Sequence, residues 1–279
     1  MSAETSSIPC RLCGAPAHAL FRQNVRDRIP VWFHECGACR SLQGEPGSWL
    51  EEGRARHSAD IGRVRRSLDT AILIDVALQL LGGAASHICL DFGGGDGLFA
   101  RMMRDRGYNF FCRDPLIANV YTPFHDAVAK PVRDVAVVTA FDVLDYCADP
   151  AAALEDLFAF EADLVMASAG TWQGQGPDWP GLGLEEGRRG FFYSPEALDT
   201  LAGRHGYHLL TDGRLHVFCR PRPTRLSYDS AQIRRLTAQL AWGDLEKLAL
   251  KHFCDRLRQP YCFVQEDYRG ILRGLRAAH

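Results

Sequence analysis

Four short, nearly unbroken apolar runs mark the middle of the chain: residues 87–90, 108–112, 134–140 and 162–168. Runs without polar alternation are expected of parallel strands covered on both faces. Around them, apolar residues recur at helical spacing. Ile61, Val64, Leu68, Ile72, Val76 and Leu80 form one such stripe within residues 54–81, stopped by Gly82-Gly83. Phe99, Met102 and Met103 mark a helix that begins near Leu98 and ends at Gly107, and further helices are predicted over 150–160 and 195–205. Regular alternation of strand and helix predicts an α/β protein with a doubly wound, mostly parallel sheet. Two final strand-like runs, 207–211 and 214–219, are joined by Asp212-Gly213, a strong signal for a tight antiparallel hairpin. Residues 117–130 are poorly patterned, and residues 170–190, rich in Gly, Pro and Trp, show no period. A loop this long is usually functional, and Trp172 and Trp179 are expected to give it an apolar surface for closing over a substrate. Past a Pro-Arg-Pro break at 221, helical spacing returns at Ile233, Leu236 and Leu240, then Leu245, Leu248, Phe253 and Leu257. Three regions are therefore expected: 1–45, 54–220 and a helical extension over 221–279, with a connector from Gly44 to Gly53.

Composition narrows the picture. A chain of 279 residues, 47% of them hydrophobic, can bury one sizeable core and a smaller appendage. A net charge of -2 gives no argument for a nucleic-acid or membrane partner. The first nine residues lack the basic and apolar regions of a signal peptide, and no apolar run reaches the length of a membrane span, so a cytoplasmic location is expected. Arg54, Arg56, Arg63, Arg65 and Arg66 on the first long helix read as a solvated face. The tail, where basic residues outnumber acids, is read as packing on the sheet domain, a second subunit or a partner protein, with RNA binding as the weaker reading.

The ten cysteines fall into two groups. Six are scattered through mostly apolar segments and read as buried small hydrophobes. The other four form two Cys-x-x-Cys knuckles, Cys10/Cys13 and Cys36/Cys39, with Gly14 and Gly37 supplying tight turns. Two such knuckles can set four thiolates tetrahedrally around one ion, and soft four-coordination favours zinc in a closed, structural site. A redox dithiol is the competing reading, and His18 and His34, which could substitute as ligands, are read as bystanders. So short a segment has little core of its own, which makes metal binding its expected main source of folding energy.

Between the first apolar run and its helix stands Asp91-Phe92-Gly93-Gly94-Gly95-Asp96-Gly97. Glycine lets the backbone turn sharply and come close to a ligand, and the N–H groups of the following helix point back at the same spot. No Gly-Lys-Ser/Thr ending makes it a phosphate loop, and Leu98 stands where a dinucleotide fingerprint needs its third glycine. The second run ends in Arg113-Asp114-Pro115, an acidic residue placed where such folds grip a ribose; a turn aspartate before proline is the alternative. Leu116 follows, as a candidate lining of an adenine pocket. The third run leads into Phe141-Asp142-Val143-Leu144-Asp145-Tyr146, at the strand end where open α/β sheets place ligand contacts.

The Asp-x-Gly-x-Gly-x-Gly spacing resembles the first motif of the class I methyltransferases that bind S-adenosylmethionine (SAM). Together with the two knuckles, Asp114-Pro115, the closing hairpin and Phe192-Tyr193-Ser194-Pro195 leading into a helix, residues 10 to about 220 resemble a branch with an N-terminal four-cysteine zinc domain. That branch includes sugar C-methyltransferases. The resemblance implies a seven-stranded Rossmann-like sheet, with SAM held by Asp91, Gly93, Gly94, Gly95, Gly97, Asp114, Pro115, Leu116, Phe141 and Asp142. Zinc would sit on Cys10, Cys13, Cys36 and Cys39. Many relatives carry a Glu-x-x-Glu-His type segment after the fourth strand and a histidine before Phe-Tyr-Ser; here the chain reads Asp142 to Tyr146 and Arg188-Arg189-Gly190-Phe191, with acids but no imidazole.

Methyl transfer needs an aligned nucleophile and, where its pKa requires, a base. His125, Asp145, Tyr146 and Tyr193 fall in segments expected to face the cleft and are the candidate bases. Arg188 and Arg189 are candidate anchors for an anionic substrate, with solvated loop arginines as the alternative. The expected function is methylation of a small molecule, a sugar or another biosynthetic intermediate. A non-catalytic assembly protein and an RNA or protein methyltransferase are the alternatives.

Overall fold

A computed structural model describes residues 7–50 and 62–239, together with Phe263, Asp267, Arg269 and Arg273. The N-terminal unit is an antiparallel sheet of β1 (Ser7–Pro9), β2 (Pro16–Val25), β3 (Ile29–Cys36) and β4 (Leu42–Gly44). The chain then forms a helix, α1 (Arg63–Leu80), followed by β5 (Ile88–Phe92), α2 (Leu98–Asp105), β6 (Asn109–Arg113), β7 (Val135–Ala140), α3 (Pro150–Phe158) and β8 (Leu164–Ser168). A two-residue strand, β9 (Phe191–Phe192), precedes α4 (Pro195–Arg204), the hairpin β10 (His208–Thr211) and β11 (Leu215–Cys219), and α5 (Ser230–Gln239).

The large sheet runs β10-β11-β8-β7-β5-β6, parallel from β8 to β6 and closed by the antiparallel β11 and β10. Every residue of β7 is buried, as the apolar run at its centre requires. Local chemistry starts α3 and α4 alike: Asp149 and Ser194 cap them by accepting from Ala152 N–H and Ala197 N–H, and each has proline in its first turn. The Asp212-Gly213 link turns as predicted, with Gly213 at φ 89° and the Asp212 carboxylate accepting from Arg214 and Leu215 N–H.

Four expectations need correction. Among the described residues the sheet has six strands, not seven. Residues 117–130 fold instead into turns tied by Asn119 and Asp126 side chains to nearby backbone N–H groups, with a single bridge between Cys112 and Asp126 beside β6. A stretch whose polar side chains satisfy its own backbone gains little from a ladder. Second, the stripe on α1 is displaced: Val64 and Leu68 are exposed, while Ala71, Leu73, Ile74, Val76, Ala77 and Leu78 are buried. The later half of this helix is enclosed, and even Asp75 is buried there, accepting from Tyr108 Oη at 2.7 Å and Gln79 Nε2 at 3.0 Å. Ile61 lies outside the described residues.

Third, Trp172 and Trp179 do not form a lid surface. With Leu182 they join Val25, Val31, Phe33, Leu42, Trp49 and Phe192 in a core between the long loop and the N-terminal sheet. Trp172 is 2% exposed and its Nε1 donates to Glu35 Oε2 at 2.9 Å. The N-terminal unit therefore has a core after all, lent by the loop. Fourth, Arg63 and Arg66 are not merely solvated: they reach Asp96 at 2.6 Å and Asp142 at 3.4 Å, over the edge of the sheet that carries the glycine turn. Arg54 and Arg56 lie outside the described residues, as do Leu240, Leu245, Leu248, Phe253 and Leu257 of the tail. Of the far tail, Phe263 and Asp267 pack on the sheet domain: Asp267 pairs with the fully buried Arg104, and the Arg104 guanidinium lies 4.4 Å from the Phe263 ring.

Candidate active site and metal centre

The glycine turn sits at the C-terminal end of β5, between β6 and β7. Gly93 N–H donates to Arg113 O at 2.7 Å, and Gly95 N–H donates to the Asp114 carboxylate at 3.0 Å, so the ends of β5 and β6 are stitched together. Gly93, Gly95 and Gly97 have φ of 67°, 60° and 84°, left-handed values that glycine adopts without strain. Space is equally demanding, since a Cβ at Gly94 would lie 2.3 Å from Asp91 Oδ2 and one at Gly97 would lie 2.3 Å from Asn119 Oδ1. Asp114 is a turn aspartate, its second oxygen accepting from Leu116 and Ile117 N–H, and its grip on Gly95 also fixes the carboxylate beside the turn. Leu116 is 80% exposed and Pro115 is exposed.

Asp91 is 4% exposed and accepts from Thr139 Oγ1 at 2.9 Å. Burial pushes its carboxyl up to about 7, the Thr139 bond opposes that, and the neighbouring Asp114 charge adds to it. A buried carboxyl raised in this way is stabilised as the anion by a cation placed beside it. SAM carries a sulfonium and an ammonium, so the donor set fits that cofactor; Phe141 is half-buried and Asp142 exposed at the neighbouring strand end.

On the other side of β7 the chain makes a one-turn 3-10 helix over Leu144–Tyr146. Asp145 there is 6% exposed; its Oδ2 accepts from Gly170 N–H at 3.3 Å and lies 3.8 Å from Arg189 Nε. Asp145 Oδ1, Arg189 Nε and the hydroxyl of the fully buried Tyr193 have no hydrogen-bond partner among the described residues. Burial raises Asp145 to about 7, against the pull of Arg189 and the Gly170 N–H. Burial also raises Tyr146 and lifts Tyr193 well above the usual phenol range. The guanidinium carbons of Arg188 and Arg189 lie 5.3 Å and 5.9 Å from the Tyr146 ring centre.

Of the four candidate bases, the structure groups Asp145 and Tyr146 on one turn beside Arg189, with the fully buried Tyr193 near enough for the Asp145 charge to add to the rise that burial causes. His125 it does not bring there: that ring packs on Phe111 and lies 3.7 Å from Asp267, and burial together with Arg104 lowers it to about 4.

The four knuckle cysteines converge. Cys10 and Cys39 sulfurs are 3.7 Å apart, Cys13 and Cys36 sulfurs 3.5 Å, and all four lie within 4.8 Å of one another. Tetrahedral zinc with Zn–S of about 2.3 Å has edges of about 3.8 Å, so the set fits a zinc ion. His34 is buried beside β4 and is no part of the cluster, and Cys89, Cys112 and Cys219 are buried free thiols as expected.

Several contacts had no counterpart in the sequence reading: Arg11, Ser194, Thr139, Gly170, Arg63 and Arg66. Arg11 alone had a signal available, since a long cation inside a metal knuckle needs a partner for its charge.

No curated protein matches the chain. Among solved structures it is similar to magnesium protoporphyrin IX methyltransferase from Synechocystis PCC 6803 with bound SAH, at 13% identity over 62% of this chain and 96% of that one, with a TM-score of 0.43. It is also similar to human N-acetylserotonin methyltransferase in complex with SAM, at 15% identity, 62% and 56% coverage and a TM-score of 0.41. N,N-8-amino-8-demethyl-D-riboflavin dimethyltransferase from Streptomyces davawensis is a third, at 15% identity, 60% and 57% coverage and a TM-score of 0.43. The profile of the family described as "Methyltransferase domain" matches residues 65–212, more than half of the chain and a span that holds the glycine turn, both strand-end acids and the first strand of the hairpin. The chain therefore belongs to the methyltransferase domain family and is a SAM-dependent methyltransferase.

Proposed function

We propose that this enzyme methylates a small-molecule acceptor held against the wall formed by Asp145, Tyr146, Arg189 and Tyr193, with Asp145 as the base. The observation that carries the reading is a pair of buried polar atoms without a hydrogen-bond partner among the described residues, Asp145 Oδ1 on a buried carboxylate and Arg189 Nε on a half-buried guanidinium. Leaving such atoms unpaired is costly, and a polar acceptor that donates to one and accepts from the other relieves both. The sugar branch suggested by the sequence fits this chemistry, because hydroxyl groups both donate and accept.

SAM, when bound, supplies an electrophilic methyl group on a sulfonium. Asp91, the N–H groups of residues 93–97, Asp114, Pro115, Leu116, Phe141 and Asp142 are the residues we assign to holding it. Asp145, held near 7 by burial, takes the proton from the acceptor atom as that atom becomes nucleophilic. Arg189 stays charged beside it and keeps the developing charges in register. Tyr146 and Arg188 border the same wall and limit its width. A purely assembling role would leave the poised carboxyl at Asp145 without use, and a net charge of -2 gives no argument for RNA.

Calorimetry with SAM, followed by turnover against a panel of sugars, sugar nucleotides and phenolic and carboxylic intermediates, tests the reading. Expected are a 1:1 SAM complex and methylation of at least one small molecule. No SAM binding at millimolar concentration would overturn it, and so would methylation of RNA or protein with none of the panel accepted.

A further inference from the structure

The metal cluster and the proposed acceptor wall share a short stretch of chain, residues 190–194. Knuckle one reaches it through Arg11, which lies between the ligands Cys10 and Cys13. Its guanidinium donates to Gly190 O, to Gly44 O at 3.3 Å and to Ala148 O at 3.1 Å. Its backbone N–H donates to Gln43 Oε1, and Gln43 Nε2 donates back to Pro9 O, so the base of this side chain is fixed as well. Knuckle two reaches the other end of the stretch. Ser194 Oγ donates to Cys39 O at 2.6 Å, and Ser194 N–H donates to Ser41 Oγ at 3.2 Å.

Between these two grips lie Phe191 and Phe192, which pair with β4, and Tyr193. Gly190 N–H in turn donates to Asp145 O at 3.0 Å, and Arg189 precedes it in the chain. Each knuckle thus ends on a backbone atom within one or two residues of a group on the wall. A guanidinium with three carbonyl acceptors is a poor choice for mere solubility and a good one for holding three loops in register, because its donors are fixed in one plane.

We propose that Arg11 is a positioning residue, through which the four-cysteine metal cluster sets the place of Arg189, Tyr193 and the Asp145 turn, and that Ser194 is its counterpart from the second knuckle. The metal then does more than fold the N-terminal sheet. It determines the geometry of the acceptor half of the site while leaving the SAM half alone. That last step rests on the acceptor reading given above; the mechanical coupling does not.

The test is hydrogen exchange by mass spectrometry on the full zinc-loaded chain. In Arg11→Ala the amides of residues 145–148 and 189–193 should exchange about tenfold faster, the fold-change expected of one lost charge-assisted hydrogen bond. Amides of the glycine turn and α2, SAM affinity and zinc content should be unchanged. Arg11→Lys, able to reach one carbonyl at a time, should recover part of the protection. Chelating zinc from the wild-type chain should loosen the same peptides, and chelating it from Arg11→Ala should add little there. Ser194→Ala should loosen 191–194 and gives a second reading if Arg11→Ala does not fold.

Unchanged protection at 189–193 in both variants would overturn the proposal. So would a loss spread evenly over β5 to β8, the mark of a residue that only supports folding. If the coupling is found but no small molecule is methylated, the acceptor reading has failed and this inference stands; turnover without coupling is the reverse.

Discussion

Asp145 is a carboxyl held where a base is most useful. Its raised value, about 7, comes from burial, with Arg189 and the Gly170 N–H pulling the other way. As the base it must be ionised, so kcat/KM for an acceptor should rise tenfold per pH unit below about 7 and level off above it. Asp145→Asn keeps the shape and removes the proton acceptor. We expect kcat to fall by roughly 10²- to 10⁴-fold with SAM affinity unchanged, and the pH step near 7 to vanish. A variant that keeps the step would place the titration elsewhere. Asp163 has a different kind of burial. Burial alone would raise it, but N–H groups of Leu226, Arg225 and Thr224 and the Thr224 hydroxyl hold it below the ordinary carboxylate range. It is 0% exposed and anchors the segment that leads from β11 into α5. Because its folded pKa is depressed, its contribution is complete above the ordinary value near 4 and is lost as pH falls through the folded value. Asp163→Ala should cost about 2–4 kcal/mol in urea unfolding at pH 7, with the gap to wild type narrowing in acid.

The glycine turn is the element that sequence described best, since its conformation follows from residue type alone. Gly97 needs φ of 84°, and a Cβ there would meet Asn119 Oδ1 at 2.3 Å and Thr122 Oγ1 at 2.7 Å. Asn119 also accepts from Thr122 N–H and hydroxyl, so it cannot swing aside without breaking the turn that these bonds close. Gly97→Ala should therefore lower stability by about 1–3 kcal/mol and weaken SAM binding at least tenfold, while zinc content stays at one per chain. Calorimetry and a zinc assay check both halves, and unimpaired SAM binding would count against the turn as the cofactor site. The elements that sequence described poorly fail for stated reasons. On α1, a stripe at helical spacing shows which residues are apolar but not which half of the helix is enclosed, and here the neighbours α2 and α5 decide that. Among the described residues the sheet lacks the seventh strand that the resemblance implied; residues 117–130 carry no pattern, and an absence of pattern does not say what the segment folds into.

At the scale of the whole molecule, what sequence could not show is how the units are joined. The Cys-x-x-Cys spacing reveals a metal cluster because ligand chemistry is local, and the apolar runs reveal the sheet because burial on both faces is local to a strand. That Phe191 and Phe192 leave the sheet domain to become the fifth strand of the N-terminal sheet depends on a contact across some 150 residues, which no local pattern encodes. The same holds for Trp172 and Trp179, legible as apolar but not as the core of another unit. The consequence is thermodynamic. Cys10, Ala17 and Cys36 of the N-terminal unit belong to one hydrophobic cluster with Leu90, Val138, Val165, Phe191 and Tyr193 of the sheet domain. Backbone pairing of β4 with β9, the Arg11 bonds to Ala148 O and Gly190 O, and the Ser194 contacts cross the same boundary. Two units that share a core and a sheet should unfold together, because separating them exposes apolar surface on both. Calorimetric melting of the zinc-loaded chain should show a single transition spanning both units. Zinc is bound by the folded chain more tightly than by the unfolded one, so chelation should shift that transition down by on the order of 10 °C rather than split it. A small early transition appearing on chelation, with the main one unmoved, would mean that the N-terminal sheet melts by itself. The shared core is too large for that: freeing the sheet strips Phe191, Phe192 and Trp172, all buried, of their cover.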